Sequence, residues 1–228
     1  MSGNAVVKII NSAMSEGRNC LSEYEAKQVL AFYGLPVTRE VLINNVDEFK
    51  SAARQIGYPL AMKGCSSDVA HKTEKGLIHL GVNNEKEALA AFAEIKKKLG
   101  KKTGAVLVQE MVRGSRELVM GMTRDEQFGP CVMFGLGGIF TEILRDVSFR
   151  KSPLKESDAM EMMREIRGCK IIDAFRGMAA ADQKMLASML VALGRIGLDF
   201  ERVREIDLNP VIISGPKPVV VDALIIIG

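Results

Sequence analysis

Glu205, Asp207 and Asn209 alternate with apolar residues in Glu205-Ile206-Asp207-Leu208-Asn209-Pro210. A strand's period of two would set all three polar side chains on one face. Acidic and amide oxygens arranged in this way suit a hard cation such as Mg²⁺, which prefers oxygen ligands and shares its shell with substrate phosphates. Asp222 is the sole charge in Val219-Val220-Val221-Asp222-Ala223-Leu224-Ile225. Buried there it is costly without a partner, and a metal would be one. For any one of these acids alone, a salt bridge or a turn cap is the plainer account.

Phe134-Gly135-Leu136-Gly137-Gly138-Ile139-Phe140 puts three glycines in four positions directly after an apolar strand. Backbone N–H groups without a Cβ in the way can approach a phosphate; a tight turn between two strands explains the same residues. The spacing matches neither the dinucleotide fingerprint nor the Walker loop. Lys63 ends the apolar run Pro59-Leu60-Ala61-Met62-Lys63, where its ammonium could donate to phosphate oxygens or only extend to water along its stem. His71 lies in the polar stretch from Ser66 to Gly76. Its neutral nitrogen could attack phosphorus, with Lys72 offsetting the incoming charge, or it is an exposed histidine with no role. His79, between Ile78 and Leu80 with no acidic neighbour, reads as structural.

These residues need elements to hold them. Ser22 followed by Glu25 has the spacing of a capping box and Gly34 supplies a stop, so residues 22–33 read as a helix. The alternation over Val37–Ile43 predicts a strand, Asp47 a cap for a helix ending at Gly57, and Pro59–Lys63 a second strand, a βαβ rhythm. Next come a strand at Leu77–Val82, an amphipathic helix at Glu85–Leu99 and a strand at Ala105–Val112. Strand patterns follow at Glu117–Met122, Cys131–Phe134 and Ile143–Phe149, best fitted by an antiparallel second sheet. Helices are expected at Ser157–Arg167 and Asp182–Arg195, then strands at Val203–Leu208, Val211–Ile213 and Val219–Ile226. The best hinge is Gln109–Gly114.

A chain of 228 residues can bury a sizeable core as one large domain or as two lobes sharing a cleft. The formal net charge of +3 is the difference of 31 basic and 28 acidic residues, scattered rather than striped, which argues against a nucleic-acid partner. The four cysteines, Cys20, Cys65, Cys131 and Cys169, form no metal-binding spacing and read as free thiols. The N-terminal stretch is too polar for a signal peptide, and no apolar run approaches the roughly 18 residues of a membrane span. A cytoplasmic location is expected.

Taken in order, Lys63, His71-Lys72-Thr73, Gln109-Glu110-Met111, Glu117, the glycine loop with Glu142, Phe149-Arg150, and Asn209-Pro210 with Asp222 resemble the ATP-grasp, or beta, subunit of ADP-forming acetyl-CoA synthetases. The strings HKT (71–73), GLGGIFTE (135–142), SFRKSPL (148–154) and EIDLNPV (205–211) make the resemblance specific, and it runs from about Leu21 to the C-terminus. It implies an α+β, two-lobed ATP-grasp fold with ATP or ADP clamped between the lobes and Mg²⁺ near the phosphates. The lobes would be residues 21–108 and 109–228, with residues 1–20 packing on the second.

By the same resemblance, Lys63 is the phosphate-binding lysine and Gln109, Glu110, Met111 and Val112 form the hinge that receives adenine. Glu110 and Glu117 fall near the nucleotide, with Gly135, Gly137, Gly138 and Arg150 also assigned to it. Asn209 and Asp222 match the metal ligands. Asp207 stands where related succinyl-CoA synthetases have a glutamate beside the phosphohistidine, and His71 matches a histidine that relays the phosphoryl group. Lys63-Gly64-Cys65-Ser66 and Gly76-Leu77 depart from the family pattern without touching ligands. The implied reaction is acyl-CoA + ADP + phosphate ⇌ acid + ATP + CoA, through acyl phosphate and phosphohistidine. No strand followed by GxGxxG supplies a CoA-binding Rossmann domain, so an alpha subunit carrying that domain and the catalytic histidine is the expected partner, in an α2β2 assembly. A succinyl-CoA-type subunit would be longer, and a regulatory nucleotide-sensing domain would be expected to lack His71, Asn209 or Asp222.

Overall fold

The computed structural model describes residues 4–65, 76–100, 104–138 and 146–228. In chain order the elements are α1 (Asn4–Ser15), α2 (Glu23–Phe32), β1 (Glu40–Ile43), α3 (Phe49–Ile56), β2 (Leu60–Cys65), β3 (Ile78–Val82), α4 (Glu85–Leu99) and β4 (Ala105–Glu110). They continue with β5 (Arg116–Asp125), β6 (Gly129–Leu136), β7 (Val147–Lys151), α5 (Glu156–Glu165), a 3₁₀ turn (Cys169–Ile172), α6 (Gln183–Asp199), β8 (Val203–Ser214), β9 (Lys217–Val220) and β10 (Leu224–Ile227). The chain divides into two compact units. The smaller comprises Ser22–Tyr24 and Thr38–Met111, the larger Met1–Leu21, Glu25–Val37 and Val112–Gly228.

In the smaller unit the strands lie in the order β1-β4-β2-β3. The expected β-α-β rhythm of β1, α3 and β2 is present, but β4 is inserted between the two strands and runs antiparallel to both. Helix α4 shows why these residues are helical. The Asn84 side chain accepts the Glu87 N–H at 3.0 Å, and Ala88, Ala91, Phe92, Ile95 and Leu99 form a buried stripe at helical spacing. Gly100, at φ +65, ends it. Helix α3 differs from expectation: the cap position is Glu48 rather than Asp47, and it makes no side-chain cap. The Glu48 carboxylate instead accepts from the Asn44 N–H and the Asn45 side chain, each at 2.8 Å, tying the preceding turn.

The larger unit is an antiparallel sheet ordered β10-β8-β5-β6-β7, with β9 also on β8. One face is covered by α1, α2, α5 and α6. Val6 and Ile10, Val29 and Leu30, Met162, and Leu186 and Leu193 pack there with Leu118, Met120, Phe134, Ile206 and Leu208 of the strands. Helix α2 was expected in the first lobe. From Glu25 onward it groups with the larger unit instead, because its apolar residues Ala26, Val29 and Leu30, all at 0% exposure, belong to that core. Glu25, expected in a capping box, accepts both terminal nitrogens of Arg18, at 2.7 and 2.9 Å.

Strand β8 was expected as two strands and is one, carrying a bulge. Leu118 pairs with Val211 and Met120 with Leu208, which leaves Asn209 and Pro210 both opposite Val119. The last expected strand, conversely, is split into β9 and β10. Val221 leaves the ladder there and donates its N–H to the Pro210 carbonyl at 3.1 Å, which sets Asp222 in the gap between the two strands.

Candidate functional site

Each sheet has one face on which helices close an apolar core, and the sequence-derived polar residues divide between that face and the opposite one. In the larger unit Ile206 and Leu208 enter the helix-covered core, so the alternation of β8 turns Glu205, Asp207 and Asn209 to the other face. The pairing register extends that face. Asp207 lies between Leu224 of β10 and Gly121 of β5, and the same row continues through Met133 of β6 to Phe149 of β7. Phe149 is 52% exposed. Gly121 gives way beside Asp207: a Cβ there would stand 2.8 Å from the Ile206 carbonyl oxygen, so the strands approach too closely for any side chain.

The electrostatics of this row are of one sign. Asp207 is half-buried, and its carboxyl is pushed up to about 6, first by burial and then by the negative charges of Glu205 and Asp222. Asn209 is exposed. Asp222 accepts the Ala223 N–H at 2.9 Å, which orients its carboxylate. Among the described residues no group of three acids, histidines or cysteines could by itself hold a metal. Mg²⁺ keeps waters and substrate phosphate oxygens in its shell and takes only one or two carboxylates from the protein. Asp207, Asn209 and Asp222 fit that mode, and burial beside Glu205 and Asp222 is what raises the Asp207 carboxyl.

The glycine loop acquires a packing explanation over the part described. A Cβ on Gly135 would meet the Asp146 carbonyl oxygen at 2.7 Å, and one on Gly137 would meet the Glu117 and Leu118 backbone at 2.8 Å. Gly138 has φ +63, and a Cβ on it would lie 2.7 Å from a Glu117 carboxylate oxygen. Gly137 donates its N–H to the Glu117 carbonyl at 2.9 Å. Glu117 and the loop are therefore brought together. Glu142 lies outside the described residues.

Arg150 is not brought to the acid row. It pairs across the ladder with Val132, whose side chain is in the helix-side core, so Arg150 projects to that side. There its guanidinium makes a bidentate ion pair with Glu165 of α5.

In the smaller unit Lys63 and Gln109 share the face of their sheet opposite α3 and α4: Ala61 pairs with Gln109, and Lys63 with Leu107. Lys63 is 3% exposed and Gln109 1%. The Lys63 ammonium lies 2.7 Å from the Glu23 carboxylate, with the two side chains 4% and 1% exposed. Glu110 accepts the backbone N–H and the Nε–H of Arg39, each at 2.8 Å. Met111 follows β4, and Val112 is the first residue of the larger unit's last segment; residues 111–114 have no regular structure. His71, with Lys72 and Thr73, lies outside the described residues.

Glu23 is the residue that sequence reasoning missed. It stands in Ser22-Glu23-Tyr24-Glu25, where an acid at a helix start has a local explanation through the helix dipole. Its partner is 40 residues away, and no local signal marks such a pair.

Comparison with known proteins identifies the family. The family model described as "ATP-grasp domain" matches residues 12–227. The beta subunit of acetate–CoA ligase [ADP-forming] II from Pyrococcus furiosus is 41% identical, over 100% of this chain and 99% of that protein. Acetate–CoA ligase [ADP-forming] I from Archaeoglobus fulgidus is 38% identical over 97% of this chain, which spans 33% of that longer protein. Among solved structures, acetyl-coenzyme A synthetase 1 of Ca. Korarchaeum cryptofilum matches with a TM-score of 0.86 and 41% identity, covering 98% of this chain and 100% of that one. It was solved with coenzyme A and Mg-AMPPCP, its phosphohistidine segment pointing towards the nucleotide-binding site.

Proposed function

The chain belongs to the ATP-grasp family, among the nucleotide-binding beta subunits of ADP-forming acetate–CoA ligases, and from that premise we infer that it exchanges a phosphoryl group between a histidine and ADP. It is one part of a ligase whose acyl and CoA chemistry belongs to an alpha subunit, with which it forms an α2β2 assembly in the cytoplasm. The long Archaeoglobus fulgidus relative, of which this chain matches a third, is consistent with the two parts being fused there. The overall reaction is acyl-CoA + ADP + phosphate ⇌ acid + ATP + CoA. Phosphate displaces CoA to give acyl phosphate, a histidine nitrogen takes the phosphoryl group and releases the acid, and a β-phosphate oxygen of ADP takes it from the histidine.

The observation that carries this reading is the one-signed row of Glu205, Asp207 and Asp222, in which Asp207 is raised to about 6. Mg²⁺, when bound, supplies the positive charge that offsets both these acids and the transferring phosphoryl group. Asn209 and Asp222 would hold it. Asp207, raised to about 6 and still ionised at neutral pH, can accept an imidazole N–H and hold the tautomer whose other nitrogen faces phosphorus. Lys63 donates to phosphate oxygens, the Gln109–Val112 segment receives adenine, and Glu117 with Gly135, Gly137 and Gly138 lines the nucleotide. His71 is the intermediate phosphoryl carrier.

The test uses the chain reconstituted with its alpha subunit, γ-labelled ATP and Mg²⁺. His71→Ala is expected to abolish acid-labile label on this chain and to reduce ATP formation from acetyl-CoA, ADP and phosphate by at least about a hundredfold. Labelling and ATP formation equal to wild type would overturn the relay.

A further inference from the structure

We propose that Glu23 is a positioning residue for nucleotide binding: its buried carboxylate fixes the Lys63 ammonium in the orientation in which it meets the phosphates. This rests on the reading that Lys63 contacts phosphate, and adds a residue to which that reading gives no role. The geometry is direct. Lys63 Nζ and Glu23 Oε1 are 2.7 Å apart, with the side chains 4% and 1% exposed. The ladder neighbours of Lys63 are Ile78 and Leu107, both apolar, so its charge is met from outside the sheet. Glu23 comes from the first turn of α2 and groups with the smaller unit, as Lys63 does.

A lysine is a point charge on four rotatable bonds, and ordering it at the moment of binding weakens binding. An ion pair already formed removes that ordering step. Stability alone gives little reason for such a pair, since a buried ion pair contributes no more than well-packed apolar side chains of the same volume. Placed on the lysine assigned to phosphate, it pre-sets a charge where the substrate needs one.

The experiment is a double-mutant cycle on the full chain with its alpha subunit, comparing wild type, Glu23→Gln, Lys63→Met and the double variant. Binding of ADP with Mg²⁺ is measured by calorimetry, and KM for ADP and kcat are measured in ATP formation from acetyl-CoA and phosphate. Glu23→Gln keeps the size and a hydrogen-bond acceptor but removes the charge. It is expected to weaken ADP binding and raise KM by about tenfold, with kcat changed less. In the Lys63→Met background the same substitution is expected to change binding by less than about twofold. Wild-type binding by Glu23→Gln, or an undiminished effect in the Lys63→Met background, overturns the positioning role while leaving the phosphate-binding lysine standing. Wild-type binding by Lys63→Met instead removes the phosphate-binding reading itself, and the role of Glu23 with it. If circular dichroism shows Glu23→Gln to be unfolded, Glu23→Asp takes its place. By withdrawing the carboxylate one methylene it is expected to raise KM for ADP about threefold, and an unchanged KM overturns the inference.

Discussion

The polar faces of the two sheets treat charge in opposite ways. On the smaller unit's face Lys63 is buried, and Glu23 meets it with the opposite charge at 2.7 Å. On the larger unit's face Glu205, Asp207 and Asp222 are all acids, and burial, together with their proximity, raises Asp207 to about 6. The first arrangement is complete as it stands: its desolvation is offset by the partner carboxylate. In the second, burial and neighbouring acids disfavour the ionised Asp207, so a cation bound beside it would stabilise the folded state. One face presents a fixed charge and the other a demand for one.

The severest challenge to that contrast is to remove the ligands from the acid face. Asn209→Ala combined with Asp222→Ala is expected to lower Mg-dependent ATP formation by at least about a hundredfold, the scale of a lost metal clamp, while circular dichroism and the melting profile stay close to wild type. Retained turnover would mean that the acid row holds no catalytic cation.

A smaller effect of the opposite sign is expected from Asp207→Asn. The folded-state carboxyl sits at about 6 against an ordinary 3.8, so protonation favours the folded chain. Stability should rise as pH falls from about 7 towards 4, and the ionised group costs the chain up to about 3 kcal/mol above that window. Without divalent cation at pH 8, Asp207→Asn is expected to be more stable than wild type by about 1–3 kcal/mol, and at pH 4 the difference should vanish. Thermal melts at the two pH values decide it. Equal stability at pH 8 would mean that the acids do not strain one another.

The contrast also shows what the sequence can and cannot reveal. Glu205, Asp207 and Asn209 were legible as one face because all three sit on one strand, where period-two alternation is a local property, and β8 keeps it from 205 to 209. The helix α4 was legible to the residue, since its cap Asn84, its apolar stripe and its stop Gly100 all lie within the element. The features that were not legible depend on partners distant in sequence. The bulge at Asn209-Pro210 exists because Val119 stands opposite both residues. Gly135 and Gly137 are small because of Asp146 and Glu117 on other segments, which a glycine pattern alone cannot distinguish from a phosphate cradle. Glu23 and Lys63 are on a helix and a strand 40 residues apart, and nothing local marks them as partners. Helix α2 was recognised, but its allegiance to the larger unit follows from which core its apolar face joins.

Arg150 gives the smallest expected effect and sharpens the comparison through the same logic. Phe149 and Arg150 are consecutive on β7, so one must face the helices and the other the acid row; sequence alone does not say which. The register puts Phe149 opposite Met133 and Arg150 opposite Val132, which assigns the arginine to the helix side and to Glu165. A pair this exposed contributes at most about 1 kcal/mol. Arg150→Ala is therefore expected to lower stability by less than about 1 kcal/mol in denaturant titration, and to change the affinity for ADP with Mg²⁺ by less than about twofold, as for a substitution away from the site. Phe149→Ala, on the acid-row face, is the informative partner. A loss of nucleotide affinity confined to Arg150→Ala would mean that the guanidinium leaves Glu165 to reach the nucleotide, whereas a loss confined to Phe149→Ala is what the strand register requires if that face is the one that binds.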